Sequence, residues 1–309
     1  MVSPQGRKIA ITGASGQLGK PTLASLLAQG VHTITAIQRP DATSTFPAGV
    51  IVKNGDLEDE AFLADVLKGQ DALVLMPPLS HLVELQEPAI RAAAKVGVPY
   101  VFPSEFGPDP FAGKLTEENG LLIAKKRVRD LIEKLGVSSW VSVAVGPWLD
   151  AGLGQGLWGI DAKARKATLW KGADGKVDTA TIARTGEALA AALGLPDADL
   201  ARYKNKAVYA PSWNLSQREV LQAVQRATGT TDKEWDVQER DVKEVLEEAE
   251  VKISQGDGVA PFVKFFVTHF LEGHGGDFHD KVDAGELKKL ESLGLHKEDL
   301  EEAIKKALQ

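Results

Sequence analysis

Near its start the chain reads Lys8-Ile9-Ala10-Ile11-Thr12-Gly13-Ala14-Ser15-Gly16-Gln17-Leu18-Gly19. The first five residues are typical of a buried β-strand, and the glycines follow where a strand would pass into a helix. Gly13 permits a tight turn, Gly16 lets the backbone approach a pyrophosphate, and Gly19 lets the helix pack on the sheet. The start of that helix supplies N–H donors and positive potential. This stretch therefore predicts a dinucleotide site built from Gly13, Ser15, Gly16, Gln17, Leu18 and Gly19.

Short β-branched segments alternate with longer helical patterns through the rest of the first half. Further strands are predicted at 32–37, 50–53, 72–75, 100–102 and 140–145, and helices at 21–29, 58–67, 82–96 and 117–135. Strands separated by helices of this length need crossover connections, which are right-handed and give a parallel sheet. The fold class is therefore α/β, with a Rossmann-type doubly wound parallel sheet.

The pattern changes after residue 148. Residues 149–175 are rich in Gly and Trp without clear periodicity and are expected to form a loop, before a helix at 179–192 and a late strand at 207–209. Ser216 and Glu219 have capping-box spacing and predict the start of another helix. We expect 1–150 to form the Rossmann domain. Residues 151–309 are expected to form a smaller, α-rich substrate lobe, with segments of about 177–215 returning to the sheet.

Composition excludes several classes of function. The 309 residues contain no cysteine, which rules out thiolate metal sites and cysteine nucleophiles and fits a reducing compartment. With 43 acidic and 36 basic residues the net charge is −7, which argues against a nucleic-acid partner. There is no secretory h-region, and the longest uncharged run before residue 150 is too short to span a bilayer. We expect a soluble, cytoplasmic monomer or homodimer without membrane contact.

The end of the second predicted strand indicates which nucleotide is bound. An NAD site usually has an acidic residue there for the ribose 2′-hydroxyl, whereas this chain has Gln38-Arg39. A guanidinium pairs well with a 2′-phosphate, so Arg39 favours NADP, although it could also be a solvated loop arginine. Asp41 follows Pro40, which is expected to turn it away. Asp56, after the third strand, is expected at the adenine edge or as a helix N-cap.

Lys125 is the candidate proton handler. None of the three tyrosines is followed four residues later by lysine, so the Tyr/Lys pair of many single-domain dehydrogenases is absent. This absence argues against tyrosine-dependent epimerase chemistry. Lys125 lies along the apolar stripe of a predicted helix, four residues after Leu121 and three before Val128. A lysine there either extends to solvent or is desolvated, and desolvation lowers its pKa.

The segment Tyr100-Val101-Phe102-Pro103-Ser104-Glu105-Phe106-Gly107 resembles the Phe-x-Pro-Ser-Glu-Phe-Gly signature of the isoflavone reductase-like enzymes. These belong to the NmrA-like branch of the atypical short-chain dehydrogenases and include phenylcoumaran benzylic ether and pinoresinol–lariciresinol reductases. The glycine-rich loop, Arg39, Gly55-Asp56-Leu57 and Lys125-Lys126-Arg127-Val128-Arg129 resemble family segments in the same order. The resemblance covers about residues 7–240. It implies an NADPH-dependent reductase with Lys125 as its active-site lysine.

The resemblance also implies further site residues at the strand ends. For NADPH/NADP+ it adds Leu57, Met76, Pro77, Pro103, Ser104, Glu105, Phe106, Lys125, Gly146 and Pro147. For the substrate pocket we expect Pro78, Phe106, Trp148, Trp158 and Phe266. Phe266 belongs to a phenylalanine stripe, with Phe262, Phe265 and Phe270, that could instead be core.

Departures from the family lie on the substrate side. The chain has Gly146-Pro147-Trp148 where plant reductases have Asn-x-Phe, and Leu75-Met76-Pro77-Pro78 where small polar residues are usual. The C-terminal part matches poorly. The plant substrates are therefore not implied, and we expect a conjugated aromatic, phenolic or polyketide-like small molecule. A non-catalytic NADP-binding redox sensor of the NmrA type stays open as an alternative.

Three histidines invite a metal-site interpretation but do not support it. His269, His274 and His279 recur every five residues, and five residues turn a helix by about 140°. Glycines also interrupt this segment, so the three side chains do not share a face. No metal site is predicted.

Overall fold

The structure is a computed structural model that describes residues 3–309. The elements of the first half are β1 (Lys8–Thr12), α1 (Gly19–Gln29), β2 (Thr33–Gln38), β3 (Val50–Asn54), α2 (Glu60–Leu67), β4 (Ala72–Leu75), α3 (Glu87–Val96), β5 (Tyr100–Phe102), β6 (Phe106–Gly107), α4 (Gly113–Glu118), α5 (Gly120–Leu135) and β7 (Ser139–Ala144). Those of the second half are α6 (Leu149–Gly154), β8 (Ile160–Asp161), β9 (Lys166–Lys171), β10 (Lys176–Thr179), α7 (Ile182–Leu193), α8 (Asp197–Leu200), β11 (Lys206–Tyr209), β12 (Trp213–Ser216), α9 (Gln217–Thr228), β13 (Asp236–Asp241), α10 (Val242–Ser254), α11 (Ala260–His269), α12 (Ala284–Ser292) and α13 (Leu300–Ala307).

The central sheet has the strand order β11-β7-β5-β4-β1-β2-β3, with β6 paired to β7, and its strand pairs are parallel. Helices α1 and α7 pack together on one face, and α2, α3 and α5 cover the other. The predicted Rossmann-type, doubly wound α/β fold is therefore confirmed. Because the strand order reverses between β1 and β4, the carboxyl ends of the strands open a crevice there.

The second half contributes both to this sheet and to a separate layer. Strand β11 extends the sheet beside β7, and α7 packs on α1; both lie in the part of the chain expected to return to the sheet. The other layer contains the β13-β9-β8 sheet, the β10-β12 pair and the helices α9, α10, α11 and α13. Its apolar core includes Trp158, Trp170 and Phe270.

Several predicted boundaries are corrected. Residues 149–175 are not a loop, since they form α6, β8 and β9, and the partner of β9 is the distant strand β13. The helix predicted at 117–135 is two helices that break at Asn119, whose extended backbone ends α4. The helix predicted at 179–192 begins at Ile182, after the cap residue Thr181, because Lys176–Thr179 pairs with β12.

The predicted capping box is present at the start of α9. The Ser216 hydroxyl accepts the Glu219 N–H, and the Glu219 carboxylate accepts the Ser216 N–H. None of the helices in the described part of the chain has the length and apolarity that a bilayer-spanning segment needs.

Candidate active site

A cavity of about 860 Å³ follows the carboxyl ends of the central strands. At one end its walls come from the glycine-rich loop after β1 and the segment after β2. At the other end they come from α5, α6 and α11. The cavity therefore joins the crevice of the parallel sheet to the apolar core of the second layer.

The glycine-rich loop leaves room for a ligand at one position. A Cβ on Gly13 would lie 2.1 Å from the Met76 carbonyl oxygen, and one on Gly19 would lie 2.1 Å from the Gly13 oxygen, so packing within the protein requires both glycines. A Cβ on Gly16 would meet only the Gly13 oxygen, at 3.1 Å, and all of Gly13–Gly19 line the cavity. Within residues 3–309 the N–H groups of Gln17 and Leu18 find no acceptor. This open cradle of N–H donors fits a pyrophosphate.

The segment after β2 presents one cation at the cavity edge. The Arg39 side chain is 70% exposed, and its Nε lies 3.8 Å from the Asp41 carboxylate. Both residues line the cavity, so the expectation that Pro40 turns Asp41 away is wrong. An exposed ion pair of this length holds the guanidinium only weakly, which leaves Arg39 available to a phosphate.

Asp56 lies outside the cavity lining, whereas its neighbour Leu57 contributes to it. The exposed Asp56 carboxylate accepts the Glu58 N–H at 2.9 Å. The N-cap of α2 is Asp59, which accepts the N–H groups of the first turn. The N-cap role considered for Asp56 is therefore wrong, and its role at the adenine edge stays a prediction.

Lys125 lies in the cavity wall on the buried face of α5. The residue is only 7% exposed, so its side chain does not extend to bulk solvent. Burial lowers its pKa, the nearby Glu105 raises it, and Arg129 lowers it. No group in the described chain forms a hydrogen bond or an ion pair with Nζ. The amine is thus held beside the cavity with its bonding capacity unused.

Some residues around the Ser-Glu-Phe-Gly segment line the cavity, and others are buried in the core. Ser104 and Phe106 line the cavity, whereas Pro103 and Glu105 are buried outside its lining. The Glu105 carboxylate forms an ion pair with Arg129 of α5. The predicted nicotinamide-side residues Met76, Pro77, Gly146 and Pro147 all line the cavity.

The far end of the cavity is mostly apolar. Pro78, Trp148 and Phe266 line it as expected. Trp158 does not: it is fully buried, its Nε1 donates to the Leu149 carbonyl at 3.2 Å, and its ring packs edge-on against Phe266 and Phe270. Spacing alone could not tell which side of the chain Trp158 would face.

The sequence analysis did not place several other lining residues in the site, among them Leu121, Ala151, Gly152, Gln155 and Leu157. Three of them belong to α6 or its end, inside the stretch expected to be a loop. Phe262 and Phe265, for which helical spacing left a pocket role open, also line the cavity. Nothing in the sequence marked Gln155, which brings a polar group to this apolar end.

The three histidines occupy separate environments. His274 contacts Glu118, and His279 lies 3.4 Å from the buried Asp178. His269 is buried at the end of α11, where Nδ1 donates to the Phe265 carbonyl at 2.5 Å and Nε2 has no partner among residues 3–309. Burial lowers the pKa of His269 to about 4; the hydrogen bond to Phe265 acts against this shift, and the charge of the nearby Lys125 contributes to it. The described residues contain no cluster of three or more metal-ligating side chains.

The strand order, the glycine-rich cradle and the crevice together define a dinucleotide-binding α/β protein of the Rossmann type. The chain belongs to the NmrA-like family, whose sequence pattern matches residues 5–255. This family was the one that the Ser-Glu-Phe-Gly segment indicated.

Known proteins resemble the chain over most of its length. The oxidoreductase aprR of Aspergillus flavus is 27% identical over 291 residues, which cover 92% of this chain and 94% of the relative. The isoflavone reductase homolog IRL of Zea mays is 30% identical over 299 residues, with 91% and 93% covered. The solved structure of AtPrR2 with NADP+ and (+)pinoresinol has a TM-score of 0.76 at 20% identity, with 97% and 98% covered. The predictions of an oxidoreductase and of an NADP coenzyme are confirmed at the level of this family.

Proposed function

We propose that the chain is an NADPH-dependent reductase that reduces a conjugated aromatic or polyketide-like small molecule, with Lys125 as general acid and oxyanion stabiliser. When bound, NADPH supplies the hydride. Its phosphates suit the cradle of Gly13–Gly19 and the exposed Arg39, and the strand-end residues Met76, Pro77, Gly146 and Pro147 suit the nicotinamide side.

The observation that carries the proposal is the buried, unbonded amine of Lys125 in the cavity wall. As hydride adds to an electrophilic carbon, negative charge develops on the conjugated oxygen of the substrate. Lys125 donates a hydrogen bond or a proton to that oxygen. Because burial lowers its pKa, the ammonium gives up a proton more readily than that of an exposed lysine.

The apolar end of the cavity supports an aromatic substrate. Trp148, Phe265 and Phe266 offer ring surfaces, and their apolar character excludes water from the reacting centre. The names of the maize relative and of the solved AtPrR2 complex refer to aromatic compounds, isoflavone and pinoresinol, which agrees with this class. Gln155 is the polar side chain available to orient such a substrate.

The test is NADPH oxidation with a panel of phenolic, quinone and enone compounds. We expect turnover with at least one class, and the Lys125→Ala variant should lose about 10²–10⁴-fold in kcat. The affinity of that variant for NADPH should stay within about twofold, because Lys125 acts on the substrate oxygen.

Lys126→Ala is the matched control. Lys126 is the next residue on the same helix, but it is exposed and paired with Asp130, so its loss should leave kcat unchanged. Full activity of Lys125→Ala would remove that residue from the mechanism. Tight, redox-sensitive NADP binding, with no compound in the panel causing NADPH oxidation, would favour the non-catalytic sensor.

A further inference from the structure

A buried ion pair lies close enough to Lys125 to act on its charge. Arg129 of α5 and Glu105, between β5 and β6, are 9% and 4% exposed at their side chains. Arg129 Nη2 also donates to the Pro110 carbonyl at 3.0 Å, and its guanidinium carbon lies 5.5 Å from the centre of the Trp140 ring. Three neighbouring groups, the Glu105 carboxylate, the Pro110 carbonyl and the Trp140 ring, thus contact the arginine and fix its position.

This arrangement places two cations beside one carboxylate. Lys125 and Arg129 are one helical turn apart, so both project from the same buried face of α5. Glu105 is close enough to influence the charge of Lys125, yet its Oε1 bonds to Arg129, while Lys125 Nζ has no such bond within residues 3–309. If Glu105 bonded to Lys125 instead, the amine would be occupied and turned from the cavity.

We propose that Arg129 is a positioning residue that holds the Glu105 carboxylate away from Lys125, so that Nζ stays free for the substrate oxygen. This inference rests on the proposed function and deepens it. It assigns a role to the Glu of the Ser-Glu-Phe-Gly segment and to the Arg that follows Lys125 by four residues. Neither side chain lines the cavity, so both are expected to act through Lys125 and not by direct contact with substrate or coenzyme.

The charged groups around Lys125 determine the direction in which its pKa changes when Arg129 is lost. Glu105 faces it from the β5–β6 connection, Arg129 from its own helix, and His269 from α11. His269 is neutral near pH 7, because its pKa is lowered to about 4. Loss of Arg129 would leave the charge of Glu105 uncompensated, which favours the ammonium form of Lys125 and an ion pair with it.

The test compares Arg129→Gln with the double variant Glu105→Gln/Arg129→Gln. We expect the single variant to lose about tenfold or more in kcat and to shift the Lys125 ionisation in the kcat–pH profile upward by about one pH unit. The double variant removes the competing carboxylate, so it should recover kcat to within about threefold of wild type and lose the upward shift. A double variant as impaired as the single one would overturn the proposal, because a purely structural pair would behave that way.

A second measurement depends neither on turnover nor on the Arg129→Gln variant. The Lys125 side-chain signal, assigned by its loss in Lys125→Ala, can be titrated by NMR in lysine-labelled protein. Glu105→Gln alone should lower the midpoint of this titration, because Arg129 then acts on Lys125 without an opposing charge. An unchanged or raised midpoint would contradict the inference, whereas an active Lys125→Ala variant would instead contradict the proposed function.

Discussion

Gly146 follows β7 in a left-handed conformation, with φ 80°, and its backbone lies against β10. A Cβ at this position would be 1.5 Å from the Asp178 carbonyl oxygen, so neither the torsion nor the space suits another residue. The family resemblance assigned Gly146 to the nicotinamide side of the cavity. The structure adds a packing reason for this glycine, which joins the central sheet to the second layer.

Gly146→Ala is expected to destabilise the fold by about 3 kcal/mol or more, since a backbone clash adds to the torsional strain. Gly229→Ala is the matched control. Gly229 is also left-handed, with φ 65°, but nothing lies within 4 Å of its Cβ position. It should cost only the torsional part, about 1–2 kcal/mol. Urea unfolding measures both, and equal losses would refute the clash.

Local signals predicted some elements well. The bounds of β1, β4 and β5 agree with the sequence prediction, because these strands are buried apolar runs that glycines and short connections delimit. Strand β9 was missed because its partner β13 lies more than sixty residues later, and only pairing reveals it. The glycine-rich loop and Lys125 were identifiable from motifs. The contribution of α6 and the buried position of Trp158 depend on tertiary packing, which spacing does not encode.

The connection between α1 and β2 contains a partly buried histidine, His32. His32 Nδ1 accepts the Arg7 N–H at 3.2 Å, and Nε2 donates to Gln29 at 2.6 Å. Burial, with the charge of Arg7 as a smaller cause, lowers the pKa of His32 to about 4. Because the folded pKa lies below the unfolded value of about 6.5, the stabilisation is complete above pH 6.5 and is lost as the pH falls towards 4.

We therefore expect the unfolding free energy to fall by about 1–3 kcal/mol over that range through His32. Asp178 has the opposite effect. Burial raises the pKa of its carboxyl group to about 6, so protonation of this group as the pH falls favours the folded state. His32→Asn should flatten the pH dependence of unfolding, measured in urea at pH 4.5 and 7.5. His296→Asn, at a side chain 79% exposed, should leave it unchanged. A His32→Asn curve parallel to wild type would contradict the assignment.

At the scale of the whole molecule, residues of both the central sheet and the second layer line the cavity, so we expect a bound coenzyme to contact both. Ligand that binds only the folded state at 100 times its Kd adds about 2.7 kcal/mol of stability. NADPH should therefore raise Tm by several degrees in a thermal-unfolding assay.

Arg39→Ala should weaken NADPH binding by about tenfold and leave NADH binding nearly unchanged, because only the 2′-phosphate needs the guanidinium. Asp41→Asn is a useful companion variant, since it frees Arg39 from the 3.8 Å contact and should strengthen NADPH binding slightly. An equal loss of affinity for NADPH and NADH in Arg39→Ala would show that Arg39 does not recognise the 2′-phosphate.

The most direct measurement is a structure of the chain with NADP+ and a substrate identified by the oxidation assay. We predict that Lys125 Nζ lies about 2.7–3.2 Å from the substrate oxygen conjugated to the carbon facing nicotinamide C4. Glu105 should remain on Arg129 in that complex. A substrate oxygen bound elsewhere, with Lys125 directed away from it, would contradict the account.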